Sequence, residues 1–252
     1  MPQDNVFFLA ACVASFLVGL SKGGLPLIGM LAVPTLALIM PAFQAAALLL
    51  PIFVFTDAIS IWLYRRHFSR RNLLILVPAG LAGVLLGFLT VAAVSDAMVA
   101  LIVGGVGLVF SLNSWLKRGV EMPPRPADVP RGLLWGTAAG FTSFLSHAGG
   151  PPYQIYVLPQ KLDKLTFVGT TTIVFAAINA AKVVPFWMLS PLSGDQLRLV
   201  AWLLPTAILG AVAGRRALNV IPEKTFYALV EVGLFVVSLM LCYTAIADFA
   251  SR

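Results

Sequence analysis

Five ionisable side chains interrupt a chain that is otherwise strongly apolar: Lys22, Asp57, His147, Lys182 and Glu231. Each lies in or beside a long hydrophobic run, where holding a charge in a bilayer costs about 2.5–3.5 kcal/mol on insertion scales. Residues kept at that cost line polar sites or pair with one another. Lys22 and His147 occupy matching places, in Ser21-Lys22-Gly23-Gly24-Leu25-Pro26 and Ser146-His147-Ala148-Gly149-Gly150-Pro151-Pro152. Asp57, in Thr56-Asp57-Ala58-Ile59, is answered more loosely by Asn179, in Ile178-Asn179-Ala180-Ala181. Two bases beside Gly-Gly breaks, with an acid and an amide in mid-span, suit one shared polar site for a small anion.

The breaks add to that chemistry. Gly23-Gly24 and Gly149-Gly150 carry no Cβ, so the backbone can approach a helix or a ligand closely. Pro26 and Pro151-Pro152 fit the first turn of a new helix, where a missing N–H is harmless. A helix starting there aims unsatisfied N–H groups and its positive dipole end at the break, which favours an anion. Lys182 and the hydroxyls of Thr170-Thr171-Thr172 strengthen such a site. The expected substrate-binding set is Lys22, Gly23, Gly24, His147, Gly149, Gly150, Thr171, Asn179 and Lys182, with Asp57 and His147 as coupling groups.

Each of these residues also has a structural reading. Lys22 can snorkel from a span end, and Lys182 can contact Asn179 three positions earlier on one helix face. Asp57 can pair with a base in the bundle. His147 titrates near neutral pH but can equally be a hydrogen-bonded structural residue. Glu231, one or two turns into the last span, has the weakest claim of the five.

The elements that must position these groups are apolar segments over about 6–21, 25–40, 43–64, 73–94 and 97–116, then 132–148, 151–160, 165–189, 197–214 and 225–247. Crossing the hydrocarbon core takes about 20 helical residues. Segments 25–40 and 151–160 are short, follow Gly-Gly and contain proline, so each reads as half of a broken helical hairpin. The expected fold is an all-α integral membrane protein with eight full spans, or ten hydrophobic segments when the hairpins are counted. Residues 1–252 form a single transporter domain: repeat one over 1–116, a cytoplasmic linker over 117–131, and repeat two over 132–252. Pro78, Gly83 and Gly87 fall in register with Pro205, Gly210 and Gly214. Both Gly pairs fit G-x-x-x-G, which lets helices pack closely.

Charge placement orients the spans. Apart from Lys22, Lys182, Arg198 and Arg252, every Lys and Arg falls within 65–71, 117–131, 161–164 or 215–224. Short basic loops mark the cytoplasmic side, and all four then share one side. The loop 65–71 is inside while its counterpart 190–196 is outside, so the second repeat is inverted and both termini are periplasmic. Duplicated, inverted units with paired interruptions are the pattern of secondary transporters, which bind substrate at the breaks.

Composition excludes several classes. The chain has 252 residues, 60% hydrophobic and 11% charged, with net charge +7 and mean hydropathy +0.95; a soluble domain carries roughly a quarter charged residues. The net charge belongs to loop orientation, not to nucleic-acid binding. Cys12 and Cys242 lie in apolar runs without metal or redox spacing and read as small buried hydrophobes. Leu9-Ala10-Ala11-Cys12 looks superficially like a lipoprotein cleavage box, but Met1-Pro2-Gln3-Asp4-Asn5 lacks the positive charge a signal needs, so 6–21 reads as a retained span. There is no G-x-x-x-x-G-K-[ST] loop, no metal-ligand cluster and no acid-His or Cys-His pair, so the chain reads as a non-enzyme without cofactor or metal.

With these pieces in place, the chain resembles the TauE/SafE family of sulfite exporters, the TSUP permeases. The resemblance runs from about residue 6 to 246 and is carried by Gly19-Leu20-Ser21-Lys22-Gly23-Gly24, Gly83-Val84-Leu85-Leu86-Gly87 and Phe141 through Pro152. It implies transport of sulfite, sulfoacetate or another sulfonate across a bacterial inner membrane, with export the expected direction. The partners expected are the bilayer, a small anionic substrate and a coupling ion such as the proton; a homodimer is left open. Rival readings are an importer, an anion channel and a membrane assembly factor.

Overall fold

The computed structural model describes residues 5–26, 28–116 and 123–251, so residues 1–4 and the first part of the linker, 117–122, lie outside the described residues. The described residues form ten α-helices and no strand. They are α1 (Asn5–Gly23), α2 (Ala32–Ala37), α3 (Ala42–Tyr64), α4 (Arg70–Thr90), α5 (Asp96–Leu116), α6 (Val129–Ser146), α7 (Gly150–Val157), α8 (Lys164–Leu189), α9 (Gly194–Val220) and α10 (Glu223–Ser251). Short 3₁₀ turns precede α2 at Ile28–Leu31 and follow α7 at Leu158–Gln160.

Seven helices (α1, α3, α4, α5, α8, α9 and α10) are long and apolar enough to cross a membrane. The eighth span of the sequence count, α6, has 18 residues and is not among them. The reason is visible in its composition: Gly132, Gly136, Thr137, Gly140, Thr142, Ser143 and Ser146 make it small and polar rather than greasy. Large apolar side chains such as Leu74, Leu89, Val109 and Trp202 face outward. That is the surface an all-α membrane protein presents to lipid.

The chain divides into two compact units. Unit one comprises Met1–Phe68 and Val168–Pro222 and is built on the pair α1 and α9. A Cβ added to Gly19 or Gly23 would enter the backbone of Ala207 or Ala211, and one on Gly210 or Gly214 would enter that of Phe16 or Leu20. Glycines from both helices therefore bring the two backbones into contact, as small-residue interfaces do in membranes. Ser15 Oγ donates to Leu203 O at 2.8 Å across the same seam. Overpacking even a deformable core costs about 1–3 kcal/mol, and here the obstacle is rigid backbone. Gly210→Val is expected to abolish the monodisperse peak in detergent gel filtration, whereas Gly194→Ala, at a position open to space, leaves it intact.

Unit two comprises Ser69–Phe167 and Glu223–Arg252. Its α4 packs on α6, and its α5 on α10. Gly83 lies on the backbone of Thr137 and Gly140 on that of Gly80, while Gly136 meets the Ala79 Cβ. Ala97, Ala100 and Ala245 form a small core between α5 and α10. Asn72 at the start of α4 and Gln160 after α7 exchange side-chain amide hydrogen bonds at 2.8 and 3.2 Å. That pair satisfies two buried amides at once.

Helix starts are capped by side chains: Ser69 for α4, Asp128 for α6, and Ser193 with Gln196 in a capping box for α9. Before α8, Asp163 Oδ1 accepts from the Thr166 N–H at 3.0 Å. Burial pushes the Asp163 carboxyl up, but hydrogen bonds from Thr166 and Leu165 outweigh it and hold the group below its usual range. A depressed carboxyl adds stability above its unfolded pKa, and that contribution is lost as pH falls through the folded value. Asp163→Ala is expected to cost about 0.5–2 kcal/mol near neutral pH, the range of a lost cap. In a thermal-melt series the gap to the parent should narrow below about pH 4.

Candidate functional site

Three helices of unit one converge on a buried polar cluster. Lys22 sits in the last turn of α1, Asp57 in the middle of α3, and Asn179 and Lys182 on α8. Lys22 Nζ lies 2.5 Å from Asp57 Oδ1, and Asn179 Nδ2 donates to Asp57 Oδ2 at 2.8 Å. Both carboxylate oxygens are thus engaged, by residues far away in sequence. Lys182 follows Asn179 by one turn, has 0% exposure, and lies within electrostatic reach of both Lys22 and Asp57. Thr171 is buried on the same helix, eleven residues before Lys182. Since 3.6 residues make a turn, that spacing returns it to the Lys182 face but three turns away, about 16 Å at helical rise, so Thr171 lies outside the cluster.

Aromatic rings complete the walls. Lys22 Nζ stands 5.5 Å from the Phe53 centroid and Lys182 Nζ 5.9 Å from that of Phe186. Phe186 is itself stacked on Phe43 at 5.0 Å. Ring faces attract the ammonium groups without neutralising them. With two lysines to one aspartate, the buried cluster carries a surplus positive charge when all three are ionised, and a small anion would offset it.

The break after α1 is held by side chains the sequence reading did not single out. Ser60 Oγ donates to Lys22 O at 2.8 Å, and Tyr64 OH donates to Gly23 O. Thr56 Oγ1, one turn earlier on α3, turns back to Ile52 O at 2.7 Å. Arg215 of α9 covers the Tyr64 ring at 5.0 Å. Helix C-termini leave carbonyls without intrahelical partners, and α3 supplies the donors. The signal was present as Thr56, Ser60 and Tyr64, polar groups four apart in an otherwise apolar span, which places them on one face.

Gly23 and Gly24 serve this break through packing on α9. Gly24 has φ +155° and faces Leu218 and Gly214 O, both within about 3.0 Å of an added Cβ. The helix expected to start at Pro26 is absent: a 3₁₀ turn begins at Ile28 and α2 only at Ala32. Backbone N–H groups on either side of Pro26 are turned back on the chain. Gly24 N–H bonds to Ser21 O, Leu25 N–H to Leu20 O, and Ile28 N–H to Leu25 O. The first break therefore contributes the Lys22 side chain, with these amides turned back on the chain.

The second break lies in unit two and takes the form expected of it. His147 ends α6 in the left-handed conformation, φ 53°, with its N–H on Ser143 O at 3.2 Å. Thr142 Oγ1 donates to Ala148 O at 3.1 Å, and the Ala148 N–H returns to Thr142 O. Gly149 caps α7, which opens at Gly150 with Pro151 and Pro152 in its first turn. The structure thus brings Lys22, Asp57, Asn179 and Lys182 together in unit one, while His147, Gly149 and Gly150 shape the break of unit two.

The family described as "Sulfite exporter TauE/SafE" matches the chain over residues 7–241. No curated protein and no solved structure matches it.

Proposed function

Because the chain belongs to the TauE/SafE sulfite exporter family, a family of membrane transporters, we propose that it moves sulfite, sulfoacetate or another organosulfonate out of the cell across the bacterial inner membrane. The observation that carries this reading is the buried cluster of two lysines and one aspartate in unit one. Its surplus positive charge suits a small anion held by Lys182 and Lys22, with Asn179 as a neutral partner.

Asp57 is the coupling group in this proposal. While ionised it holds Lys22 at 2.5 Å. Protonation of Asp57 removes that competitor and frees the ammonium for the anion. By linkage, anion binding then favours protonation equally, so proton and anion travel in the same direction.

Alternating access would arise between two inverted repeats, 1–116 and 132–252. Supporting this, each contributes five elements in the same order, and the packing of α1 on α9 has its repeat counterpart in α6 on α4. In this proposal both termini are periplasmic, a reading supported by the short basic segments that mark the cytoplasmic side. The test is flux of sulfite and sulfoacetate in proteoliposomes, under a proton gradient either parallel or opposed to the anion gradient. Saturable flux accelerated by the parallel gradient is the expected result. Flux of neither anion would overturn the substrate assignment, and flux indifferent to protons would overturn the role of Asp57.

A further inference from the structure

Unit two contains a polar strip that the anion cluster does not use. Ser111 on α5, Gln154 on α7 and Ser238 on α10 are 2%, 3% and 0% exposed. Ser111 Oγ, Gln154 Oε1 and Ser238 Oγ have no hydrogen-bond partner in the protein. Buried polar groups are normally satisfied, and leaving one bare costs about 1–3 kcal/mol. Three from three helices in one unit call for a common explanation.

Their placement supplies one. Gly107 of α5 meets Ser238 and lies 3.6 Å, from an added Cβ, from Pro151 at the start of α7. From that junction the three helices lead to one cavity of about 540 Å³, lined in part by Ser114 of α5, Leu158 after α7 and Glu231 of α10. Gly107 to Ser114, Pro151 to Leu158 and Ser238 to Glu231 are each seven residues, about 10 Å at helical rise. Ser111 lies between the ends of the first stretch and Gln154 between those of the second. The bare groups therefore mark the route from junction to cavity. At the cavity, Arg125 and Lys161 stand with Glu223 and Glu231, a wettable rim of both signs. Lys161 is held there at φ 50°, a costly conformation for a residue other than glycine.

We propose that α5, α7 and α10 enclose a hydrated track, admitting water and small hydrophilic solutes from the Arg125–Lys161 rim to Ser238 beside the α6–α7 break. Waters there need two to four polar partners, and Ser111, Gln154 and Ser238 provide them. Glu231 becomes the charged group at the inner wall of the mouth. The track holds whichever anion unit one carries.

Thiol accessibility tests it. In a Cys12→Ser, Cys242→Ser background that retains the parent's elution profile, single cysteines replace Ser111, Gln154 and, as control, Val109. Val109 shares α5 but is 68% exposed on its outer surface. A membrane-impermeant methanethiosulfonate with a trimethylammonium head, added from the rim side in proteoliposomes, needs a hydrated thiolate to react. Ser111→Cys and Gln154→Cys should react at least about tenfold faster than Val109→Cys. Equal or slower rates overturn the proposal. Alanine variants read the same property through stability. In a dry core, Ser111→Ala and Ser238→Ala remove a bare hydroxyl and raise the melting midpoint, which would also overturn it; an unchanged or lowered midpoint is the hydrated result.

Discussion

Exchanging Lys182 for methionine is expected to leave a folded protein whose anion flux falls by about a hundredfold. Lys182 is fully buried on α8, and replacing a buried ion by an apolar side chain of similar volume is often neutral or stabilising by about 1–4 kcal/mol. The melting midpoint should hold or rise. Flux should collapse, because the cluster loses one of its two lysines while the other, Lys22, stays paired to Asp57 at 2.5 Å. Removing one partner of a buried charge contact costs about 2–5 kcal/mol, so a loss on the order of a hundredfold is expected at 1.4 kcal/mol per decade. Flux and thermal melts on one preparation separate the two effects. A purely structural lysine would show the reverse, a lower midpoint with flux proportional to folded protein.

Asp57→Asn gives the second large effect, and it falls on stability as well as on coupling. The amide keeps the shape but cannot balance Lys22, leaving two positive charges in the cluster. Breaking a buried pair from one side typically destabilises by about 3–5 kcal/mol. Adding Lys22→Met to Asp57→Asn removes the stranded charge, so the double variant should recover most of that loss in a chemical-denaturation cycle. Losses that simply add would mean the two residues do not act as a pair. Where residual flux of Asp57→Asn can be measured, it should no longer respond to an imposed proton gradient.

The sequence carried most of the fold for a physical reason: in a bilayer, helix length and hydropathy are nearly dictated by the solvent. The segments at 43–64, 97–116 and 165–189 reappear as α3, α5 and α8 within a few residues. The Gly149-Gly150-Pro151-Pro152 break was legible because proline in a first turn is a local rule. Pro26 looked equivalent, but its neighbouring amides fold back onto the carbonyls of α1, a competition no local pattern displays. G-x-x-x-G announced close packing at Gly210 and Gly214 without naming α1 as the partner, since pairing across the chain leaves no periodic trace. The same holds for the site. Lys22, Asp57 and Lys182 stood out as charges in apolar runs, yet their meeting, and the support from Ser60 and Tyr64, depends on how α1, α3 and α8 pack.

The most direct test of the account is to see where the anion sits. Selenite has the charge and nearly the shape of sulfite, and its selenium scatters anomalously, so a crystal soaked in selenite would mark the site. The account predicts a peak within about 3–4 Å of Lys182 Nζ, the reach of an N–H···O contact plus one Se–O bond, and its disappearance in Lys182→Met. A peak away from the Lys22–Asp57–Lys182 cluster that persists in Lys182→Met would contradict it.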